Sequence, residues 1–198
     1  RRVVAGKADA ATPLLSGAFD TLVVNPPWNV PEGIAAKEVF PKGPAYLRAN
    51  DMYVQDGHVI QRPGPKASLG RDKFDMQNKY AIYLHDTPSK LAFQANERHA
   101  SHGCVRVDGA LEFARMLASE RGVAADYDDK LAKGETATVA LGSSVPVRLA
   151  YHTAFADQDG RIVFRPDVYG WDEKLAAALG LPAPVKRSVS AAKADIGP

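Results

Sequence analysis

"HDTPSKLAFQANERHASHGCVRV", residues 85–107, holds the single cysteine of the chain, Cys104, and decides how the rest is read. Both ends are strand-like. The run "KYAIYLHD" (79–86) leads into it, and "CVRV" (104–107) closes it; both are rich in β-branched or aromatic residues. Side chains alternate across a strand, so Tyr83 and His85 share one face, and Cys104 and Arg106 share a face of the next strand. The 18 residues between His85 and Cys104 are enough to lay the two strands side by side. That arrangement brings an imidazole within hydrogen-bond reach of the thiol.

Strand signals continue outward from this stretch. "RRVVAG" (1–6) and "TLVVN" (21–25) are short β-branched runs, and "NPPWNVP" (25–31) ends the second because adjacent prolines remove two amide donors. Residues 32 to about 50 read as short helical or irregular pieces. "MYVQDGHVIQ" (52–61) is a hairpin around Asp56-Gly57. "RPGPKASLGRDKF" (62–74) is an ordered loop leading into a strand, and 87–101 a connecting loop. Asp108 is placed to cap a helix over 109–121, whose Ala110, Ala114, Leu117 and Ala118 share one face and whose end Gly122 can close. A second helix ends at Gly134. Strands follow at 136–141, 145–155 and 161–166, the last two joined through Asp159-Gly160, and then a helix at 171–180.

This order lacks regular βαβ alternation and predicts a mainly β, α+β fold with a few packed helices. One domain spans 1–182, with 32–61 as an insertion between strands, and 183–198 forms a loose tail with little to bury.

Composition narrows the function classes. The chain has 198 residues, 45 % of them hydrophobic, enough for a real core. Lys and Arg number 25 against 23 Asp and Glu, without a block of like charges; this argues against a nucleic-acid surface. No apolar run approaches the ~18 residues that span a bilayer. The chain opens Arg1-Arg2 with no signal peptide, and reads as a fragment or processed form. A lone cysteine cannot form an internal disulfide.

A free thiol with a pKa near ~8.5 is only a few per cent thiolate at neutral pH, so an adjacent imidazole that takes its proton makes a far better nucleophile as an imidazolium–thiolate pair. Gly103, just before the thiol, permits close substrate approach, and the amides around it and Cys104 can form an oxyanion hole. Two other readings of the same residues stand beside this one. Cys104 can be a buried small hydrophobe, or His85, His99, His102 and Cys104 can supply zinc ligands. The spacing of His102 and Cys104 around a glycine is poor for converging on one ion. Elsewhere, His58 reads as exposed beside its hairpin turn, His99 as an exposed loop residue and His152 as structural. Trp28 reads as a packing anchor. Arg71 and Lys73 can attract anionic substrates or simply face solvent.

The stretch resembles the signature of the L,D-transpeptidases, the YkuD-like catalytic domain of bacterial cell-wall enzymes. A histidine, here His85, is followed after 15 residues by Ser101-His102-Gly103-Cys104 and then Val105-Arg106. "LVVNPPWNVP", "PGPKASLGRDKF", "AIYLHDTP" and "VPVRLAYHTAFADQDGRIVFRPDVYG" extend the likeness to the larger Gram-negative murein enzymes, which carry a cap where residues 32–61 lie. The resemblance implies a mixed β-sandwich and a site with Cys104 as nucleophile and His85 as general base and acid. It further implies that Ser101, His102 and Gly103 shape the nucleophile turn and present amides to the oxyanion, that Tyr83 lines the site, and that Arg106 braces the turn or meets a substrate carboxylate. No cofactor or metal is implied.

The implied reaction joins peptidoglycan tetrapeptide stems by 3→3 cross-links through a cysteine thioester, in the periplasm or cell envelope, with carbapenem β-lactams as covalent inhibitors. A cysteine-dependent L,D-carboxypeptidase and a non-catalytic wall-binding module are the rival functions.

Overall fold

The computed structural model describes residues 1–184; the tail expected at 183–198 lies beyond the described residues after Pro184. Strands β1 (Val3–Gly6) and β2 (Leu15–Val24) open the chain. The insertion follows: β3 (Trp28–Asn29), then α1 (Glu32–Ile34), which continues through a π-helical turn (Ala35–Val39) and a 3-10 turn (Phe40–Lys42) into α2 (Gly43–Ala49). The hairpin β4 (Met52–Gln55) and β5 (His58–Gln61) turns at Asp56 and Gly57, both at positive φ, as a tight hairpin requires. Next come β6 (Asp72–Phe74), β7 (Leu84–His85), β8 (His99–Ser101) and β9 (Val105–Val107). Helices α3 (Ala110–Glu120) and α4 (Ala124–Lys133) precede the long β10 (Ala137–Leu149). A hairpin of β11 (Ala154–Ala156) and β12 (Ile162–Phe164) and the helix α5 (Trp171–Ala178) complete the fold.

Seven strands form one mixed sheet in the order β10-β2-β6-β7-β9-β1-β8. β7 runs parallel to β9 and β1 parallel to β8, and the other neighbours are antiparallel. The apolar face of α3 read from the sequence does its expected work: Ala110, Ala114, Leu117 and Ala118 are buried against Phe19, Leu22, Phe74 and Val107 of the sheet. The insertion has an apolar cluster of its own, Trp28, Val30, Ala35, Val39, Met52 and Val59, joined by Leu69. Trp28 is thus the anchor expected of it.

Several local expectations are corrected. The strand expected over 79–86 shrinks to two residues. Asn78 takes the amides of Tyr80 and Ile82 on its carbonyl and donates to the Met76 and Ile82 carbonyls, and Ala81 sits at φ +53. The segment therefore closes on an Asn side chain instead of a strand ladder. Residues 99–101, expected in a loop, form β8. The two strands expected at 136–141 and 145–155 are largely one, β10, interrupted by a register shift between Ala140 and Val145. Asp108 does not cap α3. Gly109 occupies that position at φ +63, and the Asp108 carboxylate instead pairs with Arg2 at 3.3 Å.

One buried polar pair spans sheet and helices. Asp72 on β6 is fully buried and accepts the Tyr127 hydroxyl of α4. Burial raises its carboxyl from 3.8 to about 7, with the Tyr127 hydrogen bond pulling back and Asp86 adding to the rise. The folded protein thus holds a proton that the unfolded chain has lost above pH ~4. Stability therefore falls as pH rises from about 4 through 7, at up to ~1.4 kcal/mol per pH unit. Asp72→Asn, whose amide carbonyl can still accept from Tyr127, is expected to flatten that decline in urea midpoints. An unchanged slope would mean that the carboxyl ionises normally in the folded state.

Candidate active site

The site is built by the parallel pairing of β7 and β9, with Leu84 opposite Val105 and His85 opposite Arg106. The Val105 amide donates to the Tyr83 carbonyl at 3.1 Å, which carries the register back by one residue and sets Cys104 beside Tyr83. Leu84 and Val107 face the helix-side core. Directly paired residues of a parallel ladder share a face, so His85 and Arg106 point the same way; Tyr83 packs on the insertion's apolar cluster with its ring 5.6 Å from that of His85, and Tyr83 and Arg106 both act on the Cys104 thiol. Lys73 of β6, paired with His85, joins this face. Its ammonium lies 4.7 Å from the Tyr83 ring centre and 2.8 Å from Asp75.

Cys104 sits at the end of a tight turn closed by Ser101. The buried Ser101 hydroxyl donates to the Cys104 carbonyl at 2.6 Å and accepts the Gly103 amide at 3.1 Å. Gly103 stands at φ +117, which a side chain would resist, and a Cβ there would lie 3.1 Å from Ile82 Cδ1. Of the two amides expected to meet an oxyanion, one is engaged within the turn. The Gly103 N–H is already taken by Ser101, which leaves the Cys104 N–H as the turn's candidate donor. His102, expected to help shape this turn, sends its side chain out of it. It turns to the insertion, its Nε2 2.7 Å from Glu38 Oε1.

The electrostatics differ from the expected ion pair. His85 is fully buried, and that burial, followed by the charge of Arg106, pushes its imidazole down to about 3. The thiol of Cys104 is pushed up by burial, only partly offset by the backbone and side chain of Tyr83 and by Lys73 and Arg106. Burial and then Cys104 also raise the Tyr83 phenol. Burial thus favours the neutral form of both thiol and imidazole. His85 Nδ1 faces the Asp86 carbonyl, so that nitrogen carries the proton and Nε2 keeps its lone pair. Nε2 has no hydrogen bond among the described residues, and Cys104 Sγ meets the Ala81 carbonyl at 4.0 Å. The imidazole stands two positions along the paired strands from the thiol, opposite Arg106, without the resting hydrogen bond that the sequence suggested.

A buried imidazole one strand from a cysteine on a serine-closed turn brings together the two kinds of group that cysteine-based acyl transfer uses. Residues 1–147 match the YkuD family of L,D-transpeptidase catalytic domains. The chain belongs to that family. It is also 32 % identical over 201 aligned residues to a Haemophilus influenzae protein named "Putative L,D-transpeptidase", an alignment covering 89 % of this chain and 41 % of that protein. The chain thus spans less than half the length of the relative it matches.

The remaining sequence candidates of this L,D-transpeptidase domain fall elsewhere. Arg71 acts as a clamp, reaching Asn25 at 3.3 Å and the Leu131 carbonyl at 2.6 Å. His58 is exposed and lies 4.0 Å from Glu32. His152 is exposed too, not structural. His99, expected in solvent, lies on β8 with its ring 5.8 Å from that of Tyr169, and burial lowers its pKa. The four groups weighed as zinc ligands face different neighbours, and no three such side chains converge among the described residues. Two residues escaped the sequence reading. Glu38 reaches His102 across 64 positions, and Thr12 donates its hydroxyl to the Gly103 carbonyl across 91. Neither has a local pattern that could have revealed it.

Proposed function

We propose that this L,D-transpeptidase domain joins peptidoglycan stem peptides by 3→3 cross-links, with Cys104 as nucleophile and His85 as its acid and base. The observation that supports this best is the shared face of Tyr83, His85, Cys104 and Arg106 beside the Ser101-closed turn.

The thiol sulfur attacks the carbonyl of the third residue of a tetrapeptide stem, and its proton passes to His85 Nε2 during the attack, because neither partner is charged beforehand. The S–C bond forms, and the C–N bond to the terminal D-Ala breaks. An imidazolium buried beside Arg106 is a strong acid, so it returns its proton readily to the departing amine. The amine of a second stem then attacks the thioester. Its proton goes to the again neutral His85 and on to the leaving sulfur, and the thiol is restored. The Cys104 amide faces the oxygen that gathers charge in each step. Arg106 acts through its field on the imidazole and the thiol. The proposed setting is the cell envelope. Among the described residues no helix is long and apolar enough to cross a membrane.

The test supplies a tetrapeptide stem as donor and a second stem as acceptor. The expected result is stoichiometric D-Ala release with a cross-linked product identified by mass. Release of D-Ala with tripeptide alone would make the domain an L,D-carboxypeptidase. No release at all would leave a non-catalytic wall-binding module.

A further inference from the structure

Three consecutive peptide groups make the turn that presents Cys104, and two of them are held by Ser101. Its hydroxyl takes the Gly103 N–H and donates to the Cys104 carbonyl. The peptide between, linking Gly103 to Cys104, is held from a distance. Thr12 Oγ1 donates to the Gly103 carbonyl at 2.8 Å and itself accepts the Gly6 amide at 2.9 Å. A peptide group is planar and trans, so its N–H points opposite to its carbonyl. Whatever fixes the Gly103 oxygen also aims the Cys104 amide. Gly103 cannot do this unaided, since a glycine at φ +117 has no side chain to restrict peptide rotation. A hydrogen bond accepted by the carbonyl also polarises the same group's N–H as a donor.

Thr12 is held in turn. Its amide donates to Tyr169 Oη at 3.4 Å, and the Tyr169 hydroxyl donates to the Gly6 carbonyl at 2.8 Å, so one phenol ties both ends of the loop 6–12. That loop is tight: a Cβ on Gly6 would lie 2.1 Å from the Ala10 carbonyl oxygen. The Tyr169 ring is fixed between Tyr151, with centres 4.7 Å apart, and Trp171, at 5.0 Å. The Tyr169 amide donates to Tyr151 Oη at 3.4 Å, and the Tyr151 hydroxyl donates to Asp167 at 2.9 Å. All of these aromatic residues lie past residue 147, where the family match ends.

We infer that Thr12, braced by Tyr169 of the C-terminal segment, is a positioning residue that aims the Cys104 amide at the oxyanion of the acyl-transfer reaction. The inference rests on the reaction proposed above. It assigns the segment after residue 147 a part in the chemistry instead of mere packing.

The test separates aiming the amide from exposing the thiol. Alkylation of Cys104 by iodoacetamide needs the sulfur but develops no charge on a substrate carbonyl, whereas release of D-Ala from a tetrapeptide stem does. Thr12→Val is expected to lower kcat for D-Ala release by about 10- to 100-fold, the scale on which misplaced groups act, with KM and the alkylation rate within about 2-fold. Thr12→Ser, which keeps the hydroxyl, is expected to retain near-normal turnover. Tyr169→Phe keeps the ring packing and loses only the two hydrogen bonds, so it should fold even if Thr12→Val does not. Its expected effect is a smaller fall in kcat with the same untouched alkylation. An unchanged kcat in both variants, a parallel loss of alkylation, or a Thr12→Ser as slow as Thr12→Val would each overturn the inference. Absence of D-Ala release from the wild-type domain would remove the reaction itself and this inference with it; normal wild-type release with unaffected variants would remove this inference alone.

Discussion

Cys104→Ala is expected to abolish D-Ala release, a fall of about 10⁶-fold if the loss follows the scale seen for other covalent nucleophiles. The reason is the absence of a substitute. Cys104 is the single cysteine of the chain, and the other side chains of its face, Tyr83, His85, Lys73 and Arg106, offer no comparable combination of nucleophile and leaving group. A phenol held far above its ordinary range by burial is protonated at every working pH. The same substitution gives a second reading by intact mass. A carbapenem is expected to add its mass to the wild-type protein and to leave the alanine variant unmodified. Turnover or an adduct in the variant would place the nucleophile elsewhere.

His85→Gln is the other large effect. An amide keeps the approximate shape of the imidazole but cannot hold and return a proton, so D-Ala release should fall by roughly 10²- to 10⁴-fold. The two neutral groups at rest make a sharper prediction about pH. The thiol is raised from 9.0 by burial, so its direct alkylation should climb as pH passes that raised value, in wild type and His85→Gln alike. The imidazole is lowered to about 3 and stays neutral across this window, so it adds no inflection near 6.5. A step near 6.5 in the wild-type alkylation profile, lost in His85→Gln, would instead reveal a resting imidazolium–thiolate pair and refute the neutral description.

The parts of the fold that the sequence made legible are those governed by local periodicity. Ala110, Ala114, Leu117 and Ala118 mark the buried stripe of α3, and Asp56-Gly57 marks its hairpin, because helix and turn geometry are set within a few residues. The shared face of Tyr83 and His85, and that of Cys104 and Arg106, followed from a period of two. The failures arise where a side chain outbid the local signal. Asn78 gathered the amides of a segment that reads as a strand, and Arg2 drew Asp108 away from its helix. Protonation states were illegible for a related reason. An imidazole beside a cysteine suggests an ion pair, but burial sets both charges, and burial depends on the insertion and the sheet together. The ties from Glu38 to His102 and from Thr12 to Gly103 bridge distant parts of the chain, where no spacing rule applies.

The parallel alignment of β7 with β9 also says what does not set the distance from imidazole to sulfur. Parallel neighbours need a return path, so the polypeptide between these groups is a detour and not a ruler. Ladder registry fixes the geometry, whereas the bend of the detour around Gln94, Ala95 and Asn96 lies open to water. Extra residues there would cost little, since closing a somewhat longer surface loop is entropically cheap. Related domains can therefore differ in this spacer and still keep the same chemistry in place.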